Sequence, residues 1–140
     1  MEAMGRGLEM SSGERIEVGD RKTAVIGHVR GDLIVGRHAT VVGEGVPPSL
    51  EVEGIVKCMG HCTFDCDLHA RAFEGKKSLV DVLGDMRVDE QVRITWGGLR
   101  VSGSLQARRL DVDTELKVHG DLKVEEARVG GTARVGGRAE

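Results

Sequence analysis

Large aromatic rings are nearly missing from this sequence: one Trp, two Phe and no Tyr occur among 140 residues. Thick globular cores draw heavily on such rings, so the Val, Leu, Ile and Ala present here imply a slim interior. Only 2 prolines occur, and the 21 glycines are dispersed between apolar pairs, which excludes collagen-like and linker patterns. No apolar run approaches the roughly 20 residues needed to span a bilayer. No stretch carries a helical period, so an all-β fold is expected. The formal net charge of -3 gives no global pull towards nucleic acid or anionic lipid. Motifs for a nucleophile elbow, a P-loop or a carboxylate pair are absent. Gly97-Gly98 and Gly130-Gly131 are not phosphate loops, because no helix start follows them. A non-enzymatic protein without cofactor, metal or small-molecule substrate is expected.

What is present is a repeat. The C-terminal half reads as triplets with apolar ends: Leu99-Arg100-Val101, Leu105-Gln106-Ala107, Leu110-Asp111-Val112, Leu116-Lys117-Val118, Leu122-Lys123-Val124, Ala127-Arg128-Val129 and Ala133-Arg134-Val135. Their starts are spaced by five or six positions, so every third triplet recurs after about 17 residues, as in Leu99, Leu116 and Ala133. Within a triplet the two ends share one strand face and the centre takes the other. Turn residues such as Ser102-Gly103-Ser104 and His119-Gly120-Asp121 separate the triplets. The spacing predicts a single-stranded parallel β-helix (a β-solenoid) that is three-sided, with about six coils from residue 33 to residue 135. Val46-Pro47-Pro48 is expected to open a corner, since proline cannot donate to a ladder. Residues 73–78 are expected to protrude as a loop, and Trp96 to pack in the core or at a corner. The expected domains are a flexible tail at 1–22, the solenoid at 23–137 and a short tail at 138–140. Ile16, Val18 and Val25 are candidates for an imperfect first coil.

The terminal coils of a solenoid keep unpaired backbone groups and a cross-section of apolar core. Residues 136–140 are too short and too glycine-rich for a capping helix. End-to-end addition of further copies is therefore expected, through Leu33, Val35, Ala127, Val129, Ala133 and Val135.

Gly31-Asp32-Leu33-Ile34-Val35-Gly36, Val101-Ser102-Gly103-Ser104-Leu105 and Val118-His119-Gly120-Asp121-Leu122-Lys123-Val124 resemble the bactofilins, small cytoskeletal β-helix proteins. The resemblance covers about residues 25–137. It implies a right-handed helix between flexible tails, nucleotide-free homopolymerisation through the ends, and a scaffold role at the inner membrane face. Two other classes stay open. One is a monomeric or small-oligomer binding module presenting a flat strand face. The other is a left-handed β-helix enzyme of the acyltransferase or carbonic-anhydrase kind, whose strict six-residue repeat is missing here.

Cys58, Cys62 and Cys66, with His61, Asp65, Asp67 and His69 nearby, could ligate a metal on a tight loop. The triplet phase instead points the three cysteines inward as small apolar fillers, and the paired C-x2-C spacing of a zinc site is absent. An odd cysteine count and the lack of a secretory signal pattern suggest a reduced, cytoplasmic setting. The outward triplet centres form three columns: Asp81, Arg100, Lys117, Arg134; Glu51, His69, Arg87, Gln106, Lys123; and Lys57, Arg93, Asp111, Arg128. Arg100, Lys117 and Arg134 form a basic strip suited to an anionic partner. Sequence-specific nucleic-acid binding is not expected without stacking aromatics.

Overall fold

The computed structural model describes residues 15–139. They form sixteen strands and no helix. The first coil holds β1 (Arg15–Val18), β2 (Thr23–Val25) and β3 (His28–Val29). Next come β4 (Asp32–Val35), β5 (Ala39–Val42), β6 (Ser49–Cys58), β7 (Cys62–Asp65), β8 (Asp67–Lys76), β9 (Leu79–Val82) and β10 (Met86–Val88). The chain ends with β11 (Gln91–Thr95), β12 (Gly98–Val101), β13 (Leu105–Val112), β14 (Glu115–Val118), β15 (Leu122–Val129) and β16 (Thr132–Val135).

All strand pairs are parallel, and they fall into three ladders. Ladder one runs through β1, β4, β11 and the second halves of β6, β8, β13 and β15. Ladder two runs through β2, β5, β7, β9, β12, β14 and β16. Ladder three runs through β3, β10 and the first halves of β6, β8, β13 and β15. Ladder one has seven layers, so the solenoid makes about seven turns, roughly 30 Å at about 4.8 Å per layer. Six turns were expected from residue 33 to residue 135, and that span holds six layers of ladder one; the first coil supplies the seventh. The first coil begins at Arg15, inside the stretch read as a tail; residues 1–14 of that tail lie outside the described residues. Residues 73–76 are the end of β8, not a protruding loop.

That second correction has a local cause. Phe73 is fully buried and meets Phe64 edge-on, with centroids 5.8 Å apart. The triplet is Phe73-Glu74-Gly75, so a glycine stands where the second apolar end should be. Ser78 fills the space against Gly75, is itself buried, and satisfies its hydroxyl by donating to the carbonyls of Cys58 (3.0 Å) and Lys76 (2.9 Å). The pattern is kept in volume but lost in hydropathy.

The spacing of five marks the corner between ladders three and one. Only one or two residues lie there, so β6, β8, β13 and β15 run straight through it with a change of inward parity. In β8 this appears as buried Ala70, exposed Arg71, then buried Ala72 and Phe73. Wider corners carry turns. The Val46-Pro47 bond is cis, and Val46 is fully exposed at a corner closed by the Glu44–Ser49 bridge. Trp96 sits at a corner with φ of 59° and is 71% exposed, which overturns its core alternative.

The corner between ladders two and three is stitched by side chains. Asp67 accepts from the Asp85 N–H (2.8 Å), Asp85 from Ser104 (2.8 Å), the Ser104 hydroxyl from Asp121 (3.0 Å), and Asp121 from Arg138 (2.9 Å). Each acceptor lies beneath the glycine of the next coil. A methyl group on Gly84, Gly103, Gly120 or Gly137 would strike Asp67, Asp85, Ser104 or Asp121 in turn. The Gly-Asp and Gly-Ser pairs are thus a packing requirement. Gly103→Ala should destabilise the fold by about 1–3 kcal/mol, as overpacking does, while Ser102→Ala at the neighbouring exposed site stays near wild type. Asp85→Ala should cost about 1 kcal/mol for the lost acceptor, and Asp85→Asn, which keeps a carbonyl oxygen, much less. Urea melts of the four variants would check this; equal losses for Asn and Ala at 85 would contradict the acceptor role.

Candidate assembly ends and charged faces

A strand inside the stack pairs on both sides. Strands β2 and β16 are the two ends of the seven-stranded sheet, and β1 ends the nine-stranded one, so among the described residues each pairs on one side only. The inward columns change character at these ends. Leu110 and Val112 are 2% and 0% exposed, yet Ala127, next in the same column, is exposed and Val129 only half-buried. Leu116 and Val118 are each 1% exposed, whereas Ala133 is exposed and Val135 half-buried. At the other end Ile16, Ala24 and Ile26 are half-buried and line a shallow concavity with Val18 and Lys22.

Four of the six expected end residues, Ala127, Val129, Ala133 and Val135, therefore lie on the last coil. Leu33 and Val35 do not lie on the first. Ile16 and Val18 of β1 cover them in register, and both are completely buried. The exposed N-terminal edge belongs to Ile16, Ala24 and Ile26. Ile16 and Val18 are two of the three residues expected in a first coil and lie there; Val25, the third, is 64% exposed, and Ala24 takes the inward position.

The basic strip is contiguous. Arg100 stands beside Lys117, and Lys117 beside Arg134, along ladder two. Asp81 adjoins Arg100 on the other side. Glu115 lies 3.9 Å from Arg100. In ladder three, His69 lies between Glu51 and Arg87. Its ring reaches Asp89 (3.0 Å) and Glu51 (3.9 Å). His28 meets Glu53 at 2.6 Å, and His38 stacks on His61 with centroids 5.4 Å apart. These pairs are exposed and scattered over two corners, and no group of three metal-ligating side chains occurs among the described residues.

The three cysteines point inward and are buried. Cys58 and Cys62 are joined in a disulfide across one corner, which corrects the reading of three free thiols; Cys66 alone is free. Burial, followed by the carboxylates of Asp65 and Asp67, pushes the Cys66 thiol from 9.0 up to about 11. The folded chain thus holds this proton more tightly than the unfolded one. The contribution to stability is present below pH 9 and is lost as the pH rises through 9 to about 11. A thiolate is the nucleophile, so iodoacetamide at pH 8 should label Cys66 only as fast as the protein opens. Added urea should raise the rate in step with unfolding; rapid labelling without denaturant would contradict the burial.

Comparison with models of protein families, with characterised proteins and with solved structures finds no match to this chain.

Proposed function

We propose that the protein is a self-assembling scaffold whose copies add end to end, without nucleotide, through the outermost coils of the solenoid. The observation that carries this reading is the switch in exposure along the inward columns, from fully buried Leu116 and Val118 to exposed Ala133 and half-buried Val135. A further coil stacked there would bury those side chains and supply partners to β16. The same physics that joins coil to coil would then join copy to copy, and no nucleotide energy is needed for it. The bactofilin resemblance supports the same reading and implies a cytoplasmic scaffold at the inner membrane face.

A second reading draws on the cationic column Arg100, Lys117 and Arg134, which would suit a flat binding face for an anionic partner. Electrostatic binding of that kind weakens steeply with salt, whereas apolar end contacts do not.

The test is assembly itself. Wild-type protein should form thin filaments by negative-stain electron microscopy and should sediment above a critical concentration. Ala127→Asp replaces an exposed residue and should leave thermal stability within about 0.5 kcal/mol. A buried charge at the joint should raise the critical concentration about tenfold or more, equivalent to about 1.4 kcal/mol per joint. A chain that stays monomeric at every concentration and salt would transfer the weight to the binding face.

A further inference from the structure

We infer that the assembling partner is a second copy in head-to-tail orientation, with the last coil of one copy continuing ladder one into β1 of the next. This rests on the end-to-end reading above and specifies its polarity and its contacts.

The first ground is coil length. Asp20 accepts from the Arg37 N–H at a separation of 17 residues, and Asp121 accepts from Arg138 at the same separation. Between them the step varies from 17 to 23 residues, as Ile55 to Ala72 and Leu33 to Val56 show, and the difference is taken up in the corners. Arg15 pairs with Asp32, and Arg109 with Glu126, each one 17-residue coil apart. The strands stay parallel across steps of different length, so a strand such as β1 can extend the stack.

The second ground is register. In ladder one the four positions of the last coil are Glu126, Ala127, Arg128 and Val129. The four positions of the first coil are Arg15, Ile16, Glu17 and Val18. Stacked in register, Arg15 falls on Glu126, Ile16 on Ala127, Glu17 on Arg128 and Val18 on Val129. Both charged positions meet their opposites, and both apolar positions meet apolar partners. In ladder two the same step sets Val135 against Ala24 and Arg134 against Thr23.

The third ground is that the chain already uses this pattern internally. The outward column of ladder one begins with Glu17 and Ile34 and then reads Lys57, Glu74, Arg93, Asp111, Arg128, alternating in sign at every coil from Lys57 on. Glu17 would be its next member. Arg109 and Glu126 form an ion pair at 2.9 Å across one coil step, and Arg15 would approach the same carboxylate from the other side. Opposite charges at directly neighbouring strand positions are favourable, and like charges are not.

The opposite arrangement lacks these features. Two C-terminal ends related by a two-fold axis would leave Arg15 and Glu17 without Glu126 and Arg128 as partners. A two-fold joint is also isologous and closes on itself, so continued growth would require a second, different joint. A head-to-tail joint is heterologous and propagates from one contact.

Cross-linking tests the polarity. Glu17→Cys and Arg128→Cys are both exposed substitutions, and the native cysteines are either bonded or buried. An equimolar mixture of the two variants, oxidised with copper-phenanthroline above the critical concentration, should give mixed dimers, while each variant alone gives few. Self-cross-linking of Glu17→Cys or of Arg128→Cys, with no mixed dimer, would overturn the head-to-tail joint and leave end-to-end assembly intact. Absence of any inter-copy cross-link in a chain that sediments as a monomer would overturn both. Charge reversal gives an independent reading. Glu17→Lys and Arg128→Glu should each raise the critical concentration several-fold at low salt, and the double variant should restore it. Additive losses in the double variant would count against the pairing.

Discussion

Parallel pairing between successive coils is the constraint on which the rest of this structure depends. Each coil takes its backbone partners from the coil before and the coil after, so every side chain is stacked on a chain relative 17 to 23 residues away. That single rule sorts residues into columns. An inward column must be apolar along its whole length, because one polar member would be buried with no water to serve it. An outward column must avoid long runs of like charge. A corner column must provide an acceptor for the N–H groups that no ladder pairs. The stack of Asp67, Asp85, Ser104 and Asp121 meets this last demand, with a glycine above each acceptor because there is no room for a Cβ.

The same rule explains which parts of the fold were legible in the sequence. From residue 99 onwards each inward position is Leu, Val or Ala, and the intervals of five and six report the two kinds of corner. The columns Asp81, Arg100, Lys117, Arg134 and Glu51, His69, Arg87, Gln106, Lys123 follow from that phase and match the strand registers. Failure came where a column is filled by volume rather than by hydropathy. Gly75 leaves a gap that Ser78 fills from the next corner, so the coil reads as a loop and Glu74 disappears from its column. The first coil was obscured for a related reason. Its inward members are Ile16, Val18 and Ala24, thinly spread among charges, because an end coil packs on one side only. As a result Leu33 and Val35 looked terminal, although they are covered.

Glu74 changes the meaning of the surface it joins. Without it, Lys57 and Arg93 look like members of a basic cluster; with it, the column alternates in sign from Lys57 to Arg128. Alternation is an answer to stacking, since each charge must tolerate its neighbours about 4.8 Å above and below. Ladder two is built differently. Arg100, Lys117 and Arg134 repel one another along the last three coils, with Asp81 in the coil before them and Glu115 3.9 Å from Arg100. A face that accepts this cost has its cations available to an anion from outside, while the face of ladder one has already matched its own.

This contrast bears on how assembly and surface recognition would coexist. End-to-end stacking consumes the first and last layers of each ladder and leaves the lateral faces free. A filament would therefore repeat the cationic strip of ladder two once per copy, on a rod whose ends no longer exist. Weak attraction of one strip for an anionic surface would become strong attraction for a row of them, because linked sites bind at high effective concentration. Two such tasks would thereby be separated by direction. Contacts along the axis reuse the interior's own rules of column and register, and contacts across it depend on outward residues that the fold does not need.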